Sequence, residues 1–304
     1  MEILKSLDGV NVGKKSLAVT IGNFDGVHLG HQALITDILA ECKKNGEELV
    51  VCTFNPHPKF ILNNATNFLI NSYDERRFVL ESLGVRYLLE FEFTRDFSTQ
   101  TPAEFLDKHI SISSKVSSLY LGHDFAFGAN KSGDHAFVKK YCASKNINCF
   151  LEKEFIPTSA KKASSTMIRN ALASGDVAVA NSLLGRPFFV SGRVIKGMGR
   201  GKTIGFPTAN VLFSQDRILP KVGVYESLTS YNDMTYKSIT NIGFNPTFDN
   251  NTNVNFETHI FDFDNDIYGE MLKVELHSFI RDEIKFKNAN DLIEQISKDI
   301  KSIK

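Results

Sequence analysis

Short continuous apolar runs alternate with helix-like segments along the first half of the chain. SLAVTI at 16–21 and ELVVCTF at 48–54 are unbroken apolar runs of the length typical of buried strands. Between them, apolar side chains recur at helical spacing at Leu34, Ile35, Ile38, Leu39 and Cys42. Asn45-Gly46 ends that helical pattern. Strand, helix and strand in this order predict a right-handed βαβ unit with parallel strands.

Further segments of the first half predict two more helices and two more strands. They are helices over 73–83 and 103–110 and strands over 87–91 and 116–122. Two helix-like segments follow, SSTMIRNALAS at 164–174 and DVAVANSLL at 176–184. The first half therefore predicts an α/β domain.

The pattern changes near Gly185, where short alternating runs replace the helical segments. The predicted strands are FFVSGRVI, GVYESLTSY, MTYKSITNIGF, NFETHIFDF and MLKVELHSFI. Their regular spacing predicts an antiparallel barrel or sandwich, and ANDLIEQISKDI predicts a closing helix. We therefore expect two domains, over 1–184 and 185–304.

Length and composition narrow the class of protein. A chain of 304 residues is long enough for two cores. Its 35 basic and 35 acidic residues balance, so we expect no nucleic-acid partner, and no run approaches the ~18 apolar residues of a membrane span. The four cysteines have no C-x-x-C spacing and predict buried thiols in a cytoplasmic protein. The sequence leaves the oligomeric state open.

The stretch GNFDGVHLGHQ at 22–32 places three glycines and two histidines directly after a predicted strand. A zinc site would need further ligands, and His28 and His31 lack the spacing of the H-E-x-x-H pair. A plain turn with capping or packed histidines is the other alternative. A strand end followed by a helix N-terminus is where α/β sheets bind phosphates, and imidazoles there supply extra donors.

His28-Leu29-Gly30-His31 resembles the H-x-G-H signature of the nucleotidylyltransferase superfamily. The whole stretch is similar to the version found in the bacterial bifunctional riboflavin kinase/FMN adenylyltransferase family. TFNPHP (53–58), LGHDFAFGANKSGD (121–134) and SSTMIR (164–169) follow in that family's order. Lys131 stands where the family often has arginine, which keeps the charge and loses a bidentate contact.

The resemblance implies a set of residues for adenylyl transfer. The implied groups on the triphosphate are His28, His31, Ser165, Thr166 and Arg169. The implied ATP- and flavin-binding residues are Gly22, Asn23, Phe24, Asp25, Gly26, Asn55, His57, Asp124 and Ser164. Two local alternatives remain open, because Asn55-Pro56-His57-Pro58 also suits a rigid turn and Ser164 to Thr166 also suit helix caps.

The second half contains GMGRGKTIGFPTAN at 197–210, which ends like a P-loop at Gly201-Lys202-Thr203. Lys196 stands where the P-loop needs glycine, and Pro207 interrupts the helix that should follow, so that interpretation fails. Pro207 to Asn210 instead resembles the Pro-Thr-Ala-Asn signature of the flavokinase domain.

That second resemblance implies a kinase site. Thr208 and Asn210 would hold Mg²⁺ with ATP, since both offer neutral oxygens to a hard cation. Glu257 would be the base toward the riboflavin 5′-hydroxyl, although alone it could be an exposed strand glutamate. The implied binding residues also include Lys202, Gly205 and Arg281, and Arg281 could equally form a surface ion pair with Asp282 or Glu283.

The two resemblances together imply one pair of reactions. The C-terminal β-barrel domain would convert riboflavin and ATP into FMN and ADP. The Rossmann-like N-terminal domain would convert FMN and ATP into FAD and diphosphate. Riboflavin, FMN and ATP are the expected partners, with Mg²⁺ as the cofactor. The alternatives are a nucleotidylyltransferase for another acceptor and a flavin- or nucleotide-binding regulator without turnover.

Overall fold

The computed structural model describes residues 1–122, 125–151, 163–197, 199–245 and 253–303. They form two compact units. The first contains Met1–Thr66 and Tyr73–Ala163, and the second contains Asn67–Ser72 and Ser164–Lys304. Packing thus groups residues 164–184 with the second unit, whereas the expected domain boundary at 184/185 stays a prediction.

A parallel sheet is the framework of the first unit. Its strands in the described residues are β1 (Glu2–Leu4), β2 (Ser16–Ile21), β3 (Glu47–Phe54), β4 (Tyr87–Phe91), β5 (Val116–Leu121) and β6 (Asn148–Leu151). The spatial order is β1-β4-β3-β2-β5-β6, and every neighbouring pair is parallel. The predicted βαβ unit is confirmed, while β1 and β6 are too short to leave a pattern in the sequence.

Helices connect these strands. The first unit contains α1 (Leu29–Asn45), α2 (Pro58–Asn63), α3 (Tyr73–Ser82), α4 (Arg95–Ser98), α5 (Pro102–Phe105), a π-helical turn at Leu106–Ile110, a 3-10 turn at Ala129–Lys131 and α6 (His135–Lys145). α1 ends at Gly46, whose φ of 69° places it in the left-handed region that glycine adopts without a steric penalty. The predicted helix over 103–110 is one α-helical turn that continues as a π-helix.

The strand order creates a switch point beside β2. From β2 the chain moves outward to β3 and β4, and it later returns to place β5 on the other side of β2. In parallel sheets, ligands bind outside the carboxyl ends of the strands at such a point. The loop at 22–28 leaves β2 at this position.

An antiparallel barrel forms most of the second unit. In the described residues its strands are β7 (Phe188–Ile195), β8 (Ala209–Val211), β9 (Gly223–Tyr231), β10 (Met234–Asn245), β11 (Asn253–Ile260) and β12 (Met271–Arg281). The sheet closes in the order β10-β11-β8-β7-β12-β9. Of the two predicted alternatives, the structure therefore has the barrel and not the sandwich. The helices are α7 (Ser165–Ser174), α8 (Val177–Leu184), α9 (Arg200–Thr203) and α10 (Ala289–Ile303).

Residues 67–72 belong to the second unit although they lie between α2 and α3 in sequence. Arg217 is almost fully buried, and its guanidinium donates to the carbonyl oxygens of Ile70 at 2.9 Å and Phe189 at 2.8 Å. The Phe188 and Phe213 rings flank it. A buried charge is tolerated here because Nη2 donates to two carbonyl oxygens and aromatic rings flank the guanidinium.

The cysteines are free, as expected. Cys42, Cys52 and Cys142 are buried, while Cys149 is half-buried, which corrects the prediction that all four would be buried. Among the described helices, none has the length and apolar character needed to cross a membrane.

Candidate active sites

The loop after β2 has an uncommon backbone. Phe24, Gly26 and Val27 have φ values of 48°, 81° and 40°. A positive φ costs a non-glycine residue about 1–3 kcal/mol and is least tolerated by β-branched side chains such as valine. Such a conformation persists only where its surroundings hold it, and strained loops of this kind cluster at functional sites.

His28 and His31 lie together at the start of α1. Their rings stack with centroids 3.7 Å apart, and the Phe24 ring packs edge-on against His31. His28 is the N-cap residue, and its Nδ1 accepts from the backbone N–H of His31 at 3.4 Å, so a neutral His28 carries its proton on Nε2. The first turn of α1 contains no acidic residue, which leaves the positive end of the helix dipole available to an anion.

The His31 imidazole is electrostatically poised. Burial lowers its pKa well below 6.5, and the neighbouring His28 lowers the pKa further. Its Nδ1 is buried and has no hydrogen-bond partner among the described residues. A buried polar atom without a partner is costly, so this nitrogen is suited to meet a ligand.

Two glycines of the motif make room for these rings. A Cβ on Gly30 would lie 3.2 Å from the His28 ring, and one on Gly22 would lie 3.0 Å from the Phe24 ring. Asp25 is buried, whereas Asn23 is exposed. The glycines therefore permit the ring arrangement, which the turn interpretation alone does not require.

The next predicted loop, Asn55 to Pro58, follows β3. Asn55 donates its N–H to the Phe91 carbonyl at 2.9 Å, and the Asn55–Pro56 peptide is cis. The buried His57 caps α2 by accepting from the Lys59 N–H at 3.1 Å. The structure thus confirms a rigid turn, and contact of Asn55 and His57 with a ligand stays a prediction.

A cavity lies near the carboxyl ends of β1, β3 and β4. The cavity of about 520 Å³ is lined by Ile3, Leu4, Lys5, Asn55, Glu90, Phe91, Glu92, Phe97 and His109. Phe54, Phe91, Phe93, Phe97, Phe105 and Phe127 form a continuous set of ring contacts beside it. Phe127 is buried, while Asp124 lies outside the described residues.

The remaining predicted adenylyl-transfer residues begin α7 in the second unit. Ser164 is the N-cap and accepts from the Met167 N–H at 3.3 Å, so its capping role is confirmed. Ser165 and Thr166 form the first turn. Arg169 donates from Nε to the Phe68 carbonyl at 2.8 Å and stacks 3.6 Å from the centre of the Phe68 ring. The contact of Ser165, Thr166 and Arg169 with the triphosphate stays a prediction.

The barrel brings together the predicted kinase residues through strand register. Glu257 on β11 pairs with Asn210 on β8 and with Asn241 on β10. Its carboxylate accepts from the Asn255 amide at 2.6 Å and is only half-buried. Thr208 immediately precedes β8, so its hydroxyl, the Asn210 amide and the Glu257 carboxylate belong to one region of the sheet.

Sequence reasoning missed the supports of this region. His259 Nδ1 lies 2.7 Å from the Pro207 carbonyl, and because a carbonyl only accepts, Nδ1 carries the proton. Gly197 adjoins the Asn210 side chain and Gly201 adjoins Thr208, with no space for a Cβ at Gly197. The glycines of the 197–210 stretch were visible in the sequence, but the histidine contact spans 52 positions.

Three other predicted binding residues have different settings. Lys202 is exposed on α9, and Gly205 lies just after that helix with a φ of 88°. Arg281 forms a two-point ion pair with the buried Asp299 of α10, at 2.9 Å from Nε and 2.8 Å from Nη2. Its salt-bridge partner is therefore Asp299, not Asp282 or Glu283 as the ion-pair alternative expected.

These features define a class of protein. A strained loop and a histidine pair occupy a helix N-terminus at the switch point of a Rossmann-like sheet. In the barrel, Thr208 and Asn210 lie at the start of β8, and Asn210 pairs with Glu257. A helix N-terminus at such a switch point is typical of proteins that bind nucleotide phosphates.

Comparison with known proteins makes the class specific. Residues 11–167 match the family model described as FAD synthetase, and residues 184–304 match the one described as riboflavin kinase. The chain is 38% identical to the bifunctional riboflavin kinase/FMN adenylyltransferase of Bacillus subtilis, over 92% of this chain and 89% of that protein. The Haemophilus influenzae protein of the same name is 35% identical, over 100% of this chain and 98% of that protein.

A solved structure agrees in fold. The crystal structure described as a macrolide-efflux protein from Streptococcus pneumoniae is 32% identical, has a TM-score of 0.86 and covers 99% of this chain and 97% of that one. That description differs from the names of the sequence relatives. The chain belongs to the bifunctional riboflavin kinase/FMN adenylyltransferase family, and it is an enzyme with both activities.

Proposed function

We propose that the loop at 22–28 and the start of α1 bind the ATP phosphates during adenylyl transfer to FMN. The observation that carries this proposal is the stacked pair of His28 and His31 at a helix N-terminus, with a buried His31 nitrogen that has no partner among the described residues. A triphosphate supplies the missing acceptor and the negative charge that the helix dipole favours.

The chemistry needs positioning and charge stabilisation. A phosphate oxygen of FMN attacks the α-phosphorus of ATP, and diphosphate leaves with the bonding electrons. His28 donates from Nε2, and His31 gains a proton as the bound phosphates raise its pKa. Both contacts strengthen as charge moves onto the departing diphosphate, which is the condition for catalysis. No covalent intermediate on the enzyme is required.

The proposal assigns further residues to the first reaction. Ser165, Thr166 and Arg169 act on the triphosphate, since hydroxyls and a guanidinium are strong phosphate donors. The nucleotide and flavin contacts are assigned to Gly22, Asn23, Phe24, Asp25, Gly26, Asn55, His57, Asp124 and Ser164. The aromatic set beside the cavity suits a planar flavin ring.

The barrel is proposed as the kinase. Glu257 accepts the proton of the riboflavin 5′-hydroxyl as that oxygen attacks the γ-phosphorus, and ADP leaves with the electrons of the broken P–O bond. Asn255 orients the carboxylate. Thr208 and Asn210 fit Mg²⁺ because the ion takes a few oxygen ligands from the protein and the rest from phosphates and water. Bound there, Mg²⁺ would neutralise charge on the ATP phosphates. Lys202, Gly205 and Arg281 complete the assigned binding residues.

The boundary between the two activities is proposed near residue 184. The riboflavin kinase model begins at that residue, and the FAD synthetase model ends at 167. The helices between these positions pack with the barrel, so residues 164–184 belong to the kinase unit in packing although they precede the boundary in sequence.

A product assay tests the assignment. Purified protein is incubated with riboflavin, ATP and Mg²⁺, and the flavins are separated over time. In the parent protein we expect FMN to accumulate first and FAD to follow. His28→Ala should form FMN but no FAD. Glu257→Ala should form no FMN from riboflavin but should still form FAD when FMN is supplied. Chelation of Mg²⁺ should stop FMN formation. Loss of both reactions in either folded variant would contradict the assignment of separate sites.

A further inference from the structure

The strained loop at 22–28 is held from outside by a buried arginine that belongs to none of the sequence motifs. Arg76 on α3 is 3% exposed, and its Nη1 donates to the carbonyl oxygen of Asn23 at 3.2 Å. Thr53 donates its hydroxyl to the same oxygen at 3.1 Å. Asn23 directly precedes Phe24, the first of the residues with positive φ.

The Arg76 guanidinium also holds the loop at 54–58, which follows β3. Nη1 and Nη2 of Arg76 both lie 3.3 Å from the Phe54 carbonyl, at the end of β3 and just before Asn55. One turn earlier on α3, the Tyr73 hydroxyl accepts from the backbone N–H of His57 at 2.9 Å. One face of α3 therefore contacts the loops after β2 and β3.

Glu90 orients this arginine. Its Oε1 lies 2.8 Å from Arg76 Nη2, and the carboxylate is 7% exposed. Burial raises the pKa of Glu90, but hydrogen bonds from Arg77 and Arg76 outweigh it and hold the pKa below its ordinary value. An ionised carboxylate and a planar guanidinium fix each other's orientation, which a lysine cannot reproduce.

We propose that Arg76 is a positioning residue for adenylyl transfer, which sets the loops at 22–28 and 54–58 in the geometry that binds ATP. This inference rests on the proposed assignment of the 22–28 loop to the nucleotide. Arg76 acts through the backbone carbonyls of Asn23 and Phe54. Because phosphate contacts depend on accurate geometry, a loosened loop weakens ATP binding and also slows transfer.

Arg77 provides a matched control. It is adjacent on α3 and also pairs with Glu90, with its Nε 3.2 Å from Oε2, and it pairs with Asp74 at 2.7 Å. None of its hydrogen bonds in the described part of the chain reaches a loop carbonyl. Arg77→Met thus removes an arginine from Glu90 and leaves both loops anchored.

The experiment measures KM for ATP and kcat of FAD formation in Arg76→Met and Arg77→Met, with riboflavin kinase activity measured in the same samples. For Arg76→Met we expect KM for ATP to rise about tenfold or more and kcat to fall. Arg77→Met should stay within about twofold of the parent. Kinase activity should be unchanged in both, which shows that the second unit remains folded.

Arg76→Lys separates positioning from stability. This variant keeps the positive charge beside Glu90 but loses the planar guanidinium with its several N–H donors. We therefore expect it to fold and to show a KM for ATP between those of the parent and Arg76→Met. If Arg76→Met does not fold, Arg76→Lys carries the test. Equal KM values in Arg76→Lys, Arg77→Met and the parent would overturn the proposal, as would a fall in thermal stability without any change in KM.

The variant His28→Ala distinguishes an error in the role of Arg76 from an error in the assignment of the 22–28 loop to ATP. If His28→Ala abolishes FAD formation and the Arg76 variants match Arg77→Met, only the positioning role is wrong. If His28→Ala forms FAD normally, the assignment of the 22–28 loop to ATP is wrong, and the inference about Arg76 falls with it.

Discussion

The loop after β2 and the loop before β8 both bring polar groups toward a proposed nucleotide site, but they are supported differently. The first has three positive φ values and is held by buried side chains from distant elements. The second is held by His259 and by strand register, and its predicted ligands are half-exposed. The loop proposed for adenylyl transfer is thus held by contacts from distant elements, whereas the region proposed for the kinase reaction is more exposed to solvent.

The cores of the two units also differ. The sheet of the first unit packs mainly apolar side chains. The barrel encloses a network of fully buried hydroxyls, formed by Ser227, Thr229, Ser238, Thr240 and Thr258, with oxygens 2.7–2.9 Å apart. A buried hydroxyl is tolerated only when it is paired, so this network favours one register of β9, β10 and β11.

The largest expected effect is the loss of riboflavin kinase activity when the proposed base of the barrel site is replaced. Glu257→Gln keeps the shape of the side chain and removes the base, so kcat for FMN formation should fall about 10²- to 10⁴-fold. FAD formation from supplied FMN should not change. A kinase rate within a few-fold of the parent, measured by flavin separation, would show that Glu257 is not the base.

The next effect tests preorganisation in the first unit. In Gly30→Ala the new Cβ would lie 3.2 Å from the His28 ring, so the ring must move away from His31. We expect kcat/KM for ATP in FAD formation to fall about tenfold or more. Gly46→Ala, at the other end of α1, serves as the control and should reduce stability without lowering kcat/KM for ATP. Similar kcat/KM values in both variants would contradict the role of Gly30 in making room for the His28 ring.

A smaller effect concerns the protonation of His31. Because its pKa lies below 6.5 in the free protein and bound phosphates raise it, ATP binding at about pH 7 should take up as much as one proton. Calorimetry in two buffers with different ionisation enthalpies measures this uptake. The uptake should disappear in His31→Asn, and an unchanged value there would assign the proton to another group.

The same shift has a consequence for stability with a definite sign. The unfolded chain protonates His31 near pH 6.5, and the folded chain does so only at lower pH. The contribution of His31 to stability is therefore fully present above about pH 6.5 and is lost as the pH drops toward the lower folded-state pKa. The unfolding midpoint of the parent should decline more steeply over this range than that of His31→Asn.

The smallest expected effect is the reactivity of the thiols. Burial raises the pKa of both Cys42 and Cys142 to about 12, so neither forms much thiolate near neutral pH. Alkylation of the native protein should be slow and should begin at the half-buried Cys149. Rapid modification of Cys42, detected by mass spectrometry, would show that α1 opens readily.

Local patterns were sufficient for the elements with a strong period. The strand at 87–91 and the barrel strands at 188–195 and 223–231 match their predicted bounds, because alternation and apolar runs are properties of neighbouring residues. β1, β6 and β8 were missed because three or four residues carry too little pattern. Their strand conformation depends on pairing with distant partners.

The sequence by itself determined the family, the parallel and antiparallel halves and the motif residues, since each of these is written in short contiguous stretches. Only the tertiary structure decided that the antiparallel half closes as a barrel, that His28 stacks on His31, that Arg281 pairs with Asp299, and that Arg76 holds two loops. These contacts join residues far apart in the chain, and their energies depend on burial and on exact geometry. A sequence pattern contains neither quantity.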